Sequence, residues 1–91
     1  MAAKRKEIFL GPVTGAELAT IGLDTPAKVR AIGWQEAYER WVEAFPNRLN
    51  VNAAVGMISI VDNVSWLKLP AHRKAEAQQL VEELRRRIRR P

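Results

Sequence analysis

The chain has no cysteine and a single histidine, His72, in 91 residues. Without thiols there is no disulfide framework and no thiolate metal site, and one imidazole cannot assemble the clusters that zinc usually requires. No apolar run approaches the roughly 18 residues needed to span a bilayer. The opening segment, Met1 to Leu10, carries Lys4, Arg5 and Lys6, but only three apolar residues follow before Gly11-Pro12. That is too short for the apolar core of a signal peptide. The sequence also lacks a phosphate-binding loop and a dinucleotide fingerprint. Ser59 and Thr14 have no histidine near them in sequence, and any triad would depend on His72 alone. These absences lead to the expectation of a soluble cytoplasmic protein that is not an enzyme, with no catalytic, cofactor-binding or metal residues.

What is present fits one ordered domain. Hydrophobic residues make up 47% and charged residues 27%, a balance that argues against wholesale disorder. A chain of this length supports one core. The net charge of +5 is concentrated at the ends: Lys4, Arg5 and Lys6 at one, Arg85, Arg86, Arg87, Arg89 and Arg90 at the other. Between Glu7 and Leu84 there are seven basic and ten acidic residues, so the body is mildly acidic and any electrostatic partner is directed to the termini. The expected organisation is a flexible basic N-terminus over 1–9, a helical domain over 10–88 and a basic tail end at 89–91.

Glycines punctuate the first third of the chain. Leu10-Gly11, Ile21-Gly22 and Ile32-Gly33 recur every eleven residues, each glycine standing where a short helix stops or reverses. The first helix is expected over about 12–21, with Pro12 in its first turn, Thr14 as a cap answered by Glu17, and Val13, Leu18 and Ile21 facing inward. Asp24 or Thr25 caps a second helix over 26–32, with Val29 and Ile32 on its apolar side. Trp34, Tyr38, Trp41 and Phe45 then fall at i, i+4, i+7 and i+11, the spacing of a core helix over 34–45, and Glu36 with Arg40 forms an i,i+4 pair on its outer side. Pro46-Asn47 ends it.

From Asn50 to about Asp62 the chain is apolar almost all round, as in a central buried helix. Its small or polar positions, Asn52, Gly56, Ser59 and Asn63, form one narrow stripe. A strand through Met57 to Val61 would find no partner in this chain, and Asn63 tolerates the left-handed conformation that closes a helix. Pro70 opens a last helix over about 70–88, where Ala77, Leu80, Val81, Leu84 and Ile88 share a face and Glu82–Arg86 and Glu83–Arg87 pair on the outside. The expected fold class is therefore all-α, a compact bundle of about five helices.

The series Leu10-Gly11-Pro12, Leu18, Ile21-Gly22-Leu23, Thr25 with Val29, Ile32-Gly33, Glu36-Ala37-Tyr38, Asn50, and Trp66 with Leu69-Pro70 resembles the C-terminal domain of the TfoX/Sxy family, bacterial regulators of competence for DNA uptake. The resemblance spans roughly Leu10 to Leu84. It implies a helix-hairpin-helix/SAM-like bundle that regulates by protein contact or by weak, sequence-independent DNA contact. The chain departs from the family at Ser59-Ile60 and Asn63, where the family carries a Gly-Ala pair and a glycine; Ile60 implies different helix packing. Full-length members also carry a separate N-terminal domain, so a stand-alone C-terminal module is expected. The first glycine of a phosphate-binding hairpin is missing from Ile8-Phe9-Leu10-Gly11, and Gly11-Pro12 reads as a plain helix start.

The terminal arginines have two readings. Cations suit a helix C-terminus, and the glutamates one turn back make a solvated helix end. Alternatively the run contacts phosphate without regard to sequence. The candidate nucleic-acid residues are Lys4, Arg5, Lys6, Arg85, Arg86, Arg87, Arg89 and Arg90, and the alternative is a protein-interaction or self-association domain that binds no nucleic acid. Trp34, Trp41 and Trp66 are expected in the core rather than as stacking platforms for bases. His72 is expected to be exposed.

Overall fold

A computed structural model describes residues 11–89. Five helices follow in order: α1 (Pro12–Thr20), α2 (Pro26–Ile32), α3 (Trp34–Ala44), α4 (Val51–Asp62) and α5 (Ala71–Arg89). Single 3-10 turns at Pro46–Arg48 and Trp66–Lys68 flank α4, and there is no strand among the described residues. The all-α expectation is met, with helix ends within about one residue of those read from the sequence.

The caps explain why the ends were legible. Thr25 accepts the Lys28 N–H at 3.3 Å, and Asn50 accepts the Ala53 N–H at 2.8 Å, each satisfying an orphan donor of a first turn. Asn63 closes α4 in the left-handed conformation, at φ 52 and ψ 45. Thr14 caps nothing, because it already lies inside α1. The N-cap there is Gly11, which has no side chain to offer.

Gly33 is the tightest of these joints. It ends α2 and starts α3 in a single residue, at φ 86 and ψ 155, a region almost confined to glycine. A Cβ at this position would meet nothing within 4 Å, so the cost of adding one comes from the backbone. Gly33→Ala is expected to lower unfolding free energy by about 1–3 kcal/mol in denaturant titration; an unchanged midpoint would contradict the joint.

α4 is the centre of the bundle. Every residue from Ala53 to Ile60 is buried, including Ile60, and α2, α3 and α5 all pack on it. Trp34, Ala37, Tyr38, Trp41 and Val42 bring one face of α3 to the core, as their spacing predicts. α5 folds back along α4, fastened at its start by Arg73, whose Nε and Nη2 donate to the two Asp62 oxygens at 2.9 Å. Ala77, Leu80, Val81 and Leu84 are buried on that side.

Three expected core residues are not in the core. Val13 is 67% exposed: five positions before Leu18, it points about 140° away at 100° per residue, and Leu18 is the residue α1 buries. Ile88 is 62% exposed; α5 is about 28 Å long and α4 about 18 Å, so the helical spacing continues past the end of α4. Trp66 is 58% exposed and Leu67 70%. They form the crest of the 3-10 turn that reverses the chain between α4 and α5, and the link is anchored instead by buried Leu69 and half-buried Val64.

Candidate functional site

Two surfaces carry the unsatisfied chemistry of the molecule. The first is the end of α5. Arg85, Arg86 and Arg87 are all exposed. Successive helical positions differ by about 100°, so they spread over the solvent-facing arc opposite Leu80 and Leu84. Arg87 is paired twice, with Glu83 at 2.8 Å and with Glu39 of α3 at 3.6 Å. The expected Glu82–Arg86 pair is absent: Glu82 accepts from the Gln78 amide at 3.4 Å instead. Arg85 and Arg86 have no carboxylate partner among the described residues, although the Arg85 charge acts on the Tyr38 phenol, whose pKa is pushed up by burial. Arg89 is the last residue of α5. Lys4, Arg5, Lys6 and Arg90 lie outside the described residues, as do the expected flexible N-terminus and the Ile8 to Leu10 arm of the hairpin comparison.

The second surface is a groove of about 460 Å³ at the opposite end of α5. It runs between the start of α1, the Trp66–Lys68 turn and the first half of α4. Thr14, Trp41, Arg48, Asn52, Gly56 and Trp66 are among the residues that line it. The polar stripe of α4 fits the space: Asn52 and Gly56 both line the groove, and Gly56, between Val55 and Met57, has no side chain to fill it. Farther along the same stripe, the buried Ser59 hydroxyl has no hydrogen-bond partner and no imidazole beside it, His72 being exposed on α5.

One wall of the groove is fixed by a three-residue clasp. Glu17 of α1 accepts from Trp41 Nε1, from Arg48 Nε and from Arg48 Nη2, each at 2.8 Å. The Arg48 guanidinium also lies 5.2 Å from the Trp41 ring centroid, within cation–π range. The Arg48–Glu17 pair is bidentate, like that of Arg73 with Asp62, and such pairing adds geometric specificity as well as energy. It ties α1 to α3 and to the Pro46–Arg48 turn, which Tyr38 holds from below by donating to the Arg48 carbonyl at 2.7 Å. Trp41 thus obtains the indole partner that burial demands. Local spacing paired Glu17 with Thr14 as a cap, but Thr14 caps nothing and the true partners of Glu17 lie 24 and 31 positions away, beyond the reach of any local pattern.

The clasp has a pH signature. Hydrogen bonds from Arg48 hold the Glu17 carboxyl below its ordinary range; burial opposes this, and the Trp41 N–H and the Arg48 charge add to it. A carboxyl depressed in the folded state stabilises above its unfolded pKa, about 4.3, and that contribution disappears as pH falls through the folded value. The wild type is therefore expected to lose more thermal stability between pH 5 and pH 3 than Glu17→Gln, whose curve should be flatter; parallel curves would contradict the clasp.

Among the described residues no three His, Cys, Asp or Glu side chains stand close enough to hold a metal, and no helix is long and apolar enough to cross a membrane. The fold and these two surfaces define a small all-α module whose notable chemistry faces outward. Comparison with protein-family models, with curated proteins and with solved structures finds no match for the chain.

Proposed function

We propose that this chain is a non-enzymatic interaction module, of the regulatory kind that its resemblance to the TfoX/Sxy C-terminal domain suggests, and that it acts in the cytoplasm by contact with another protein. The observation that carries this reading is the contrast among the tryptophans. Trp34 and Trp41 are buried, whereas Trp66 stands out beside Leu67 on the rim of a preformed groove. Large apolar side chains grouped at a concavity are the ordinary makings of an interface centre. The absence of chemistry from the same region agrees: Glu17 is committed to Arg48 and Trp41, and no nucleophile is paired with a base among the described residues.

A second reading is favoured by Arg85 and Arg86, which lack carboxylate partners. The end of α5, with Arg87, Arg89 and Arg90 and with Lys4, Arg5 and Lys6 if the ends meet, would contact phosphate groups of DNA without reading sequence. Self-association through the Trp66 face is the remaining form of the protein-contact reading.

Site-specific photocrosslinking distinguishes them. A benzophenone amino acid placed at 66, at 86 or at the control position 27 is expected to capture a protein, or a second copy of the chain, from position 66 alone. Capture of nucleic acid from 86 with nothing from 66 would replace the first reading by the second. Equal yields from all three positions would refute both.

A further inference from the structure

The charge around the exposed corner runs against the charge of the body. Between Glu7 and Leu84 acidic residues outnumber basic ones, yet from Asn63 to Ala75 there is no Asp or Glu at all, while Lys68, His72, Arg73 and Lys74 fall in that stretch. Arg73 is committed to Asp62 and Glu76. Lys68 and Lys74 are exposed and have no carboxylate partner among the described residues. Lys68 follows directly on Trp66 and Leu67, and Lys74 lies in the first turn of α5 just beyond them. The corner therefore combines an apolar crest, a groove behind it and cations that no carboxylate among the described residues neutralises.

We propose that this corner docks an acidic segment of a partner protein, one apolar side chain of the segment entering the groove beside Trp41 and Gly56 while its carboxylates meet Lys68 and Lys74. The occupant follows from complementarity on both counts. The groove, of about 460 Å³, has the volume to take a side chain, which a flat lipid surface would not supply, and the small residues Ala53 and Gly56 are among those that line it. Charge complementarity sets which partner approaches and how fast, and apolar anchoring holds it. The acidic body would draw a basic segment away from the corner and repel an acidic one everywhere else, so the local cations Lys68 and Lys74 make the corner the place where an acidic segment is accepted. The inference rests on the protein-contact reading and narrows it to one class of partner.

The test uses the full chain and short fluorescein-labelled peptides of three kinds: aspartates alternating with leucines around a central phenylalanine, the same peptide with lysine for aspartate, and the same with serine for leucine and phenylalanine. Fluorescence anisotropy is expected to rank the first at least about tenfold tighter than either of the others. Trp66→Ala with Leu67→Ala, and separately Lys68→Glu with Lys74→Glu, should each weaken it by about tenfold or more, while Arg85→Gln with Arg86→Gln leaves it unchanged. All these side chains are exposed, and circular dichroism should report intact helix throughout. No saturable binding of the acidic peptide, or binding that survives Lys68→Glu with Lys74→Glu, overturns the proposal. So does cosedimentation with vesicles containing phosphatidylglycerol in the absence of peptide binding, which would assign the corner to anionic lipid. If position 66 still crosslinks a protein when the acidic peptide fails, the contact reading survives and only the acidic partner is lost; if neither occurs, both fall.

Discussion

Trp41→Ala is expected to lower unfolding free energy by about 3–5 kcal/mol, whereas Trp66→Ala should leave it within about 0.5 kcal/mol. The two residues are chemically identical and differ only in what the fold brings to them. Trp41 is 1% exposed and its ring meets Tyr38 edge-on at 6.4 Å. It also gives its N–H to Glu17 and carries Arg48 on its face. Removing it leaves a void under the groove, a carboxylate short of one donor and a guanidinium without its platform. Trp66 has none of these attachments. A domain of this size has about 5–14 kcal/mol in all, and each kcal/mol moves the melting temperature by roughly 4–8 °C. The Trp41→Ala variant should thus melt far below the wild type, and Trp66→Ala alongside it. If Trp41→Ala does not fold, Trp41→Phe keeps the ring and removes the N–H, and a smaller loss at the same site is expected. Comparable losses at the two tryptophans would place Trp66 in the core and remove the exposed corner.

The second large effect concerns the arginine end. If the phosphate-contact reading is right, three to five contacts should make affinity for a labelled duplex fall by about 40- to 500-fold between 50 and 200 mM salt. Arg85→Gln with Arg86→Gln should then lower the slope of log affinity against log salt by about two. Neither substitution touches a described ion pair, so stability should be unaffected. The acidic body works against such binding, and Arg87 is partly neutralised by Glu83 and Glu39. A salt slope that is unchanged by the two substitutions would leave the end of α5 as a solvated helix terminus.

Local chemistry made most of the fold legible. Thr25, Gly33, Asn50 and Asn63 each mark a helix end because a cap is a contact between residues close in sequence. The α3 face from Trp34 to Trp41 was legible because three large aromatic groups, Trp34, Tyr38 and Trp41, on one stripe have nowhere else to go. The last turn of α5 was misread for the converse reason: Ile88 keeps the period, but period alone does not say where the neighbouring helix stops. Trp66 failed similarly, since an apolar residue name carries no record of whether the chain reversal leaves it outside.

The candidate site was half legible. The stripe of Asn52 and Gly56 on an otherwise apolar helix was visible, but that it lines a groove was not, because the other walls come from α1 and the Trp66–Lys68 turn. The Glu17, Trp41 and Arg48 clasp could not be read, because it joins three elements whose approach is set by the whole bundle. The arginines were visible as charges and Glu83 as the partner of Arg87 one turn back, but the second partner of Arg87, Glu39, comes from the packing of α5 against α3.

Amide hydrogen exchange, recorded for the chain alone and for the complex crosslinked through position 66, tests the central claim most directly. The interface reading predicts slowed exchange from Asn63 to Leu69, around the Trp66–Lys68 turn, with the last turn of α5 exchanging as in the free chain. Slowing confined to Arg85–Arg89, with the Trp66 turn unchanged, would contradict it.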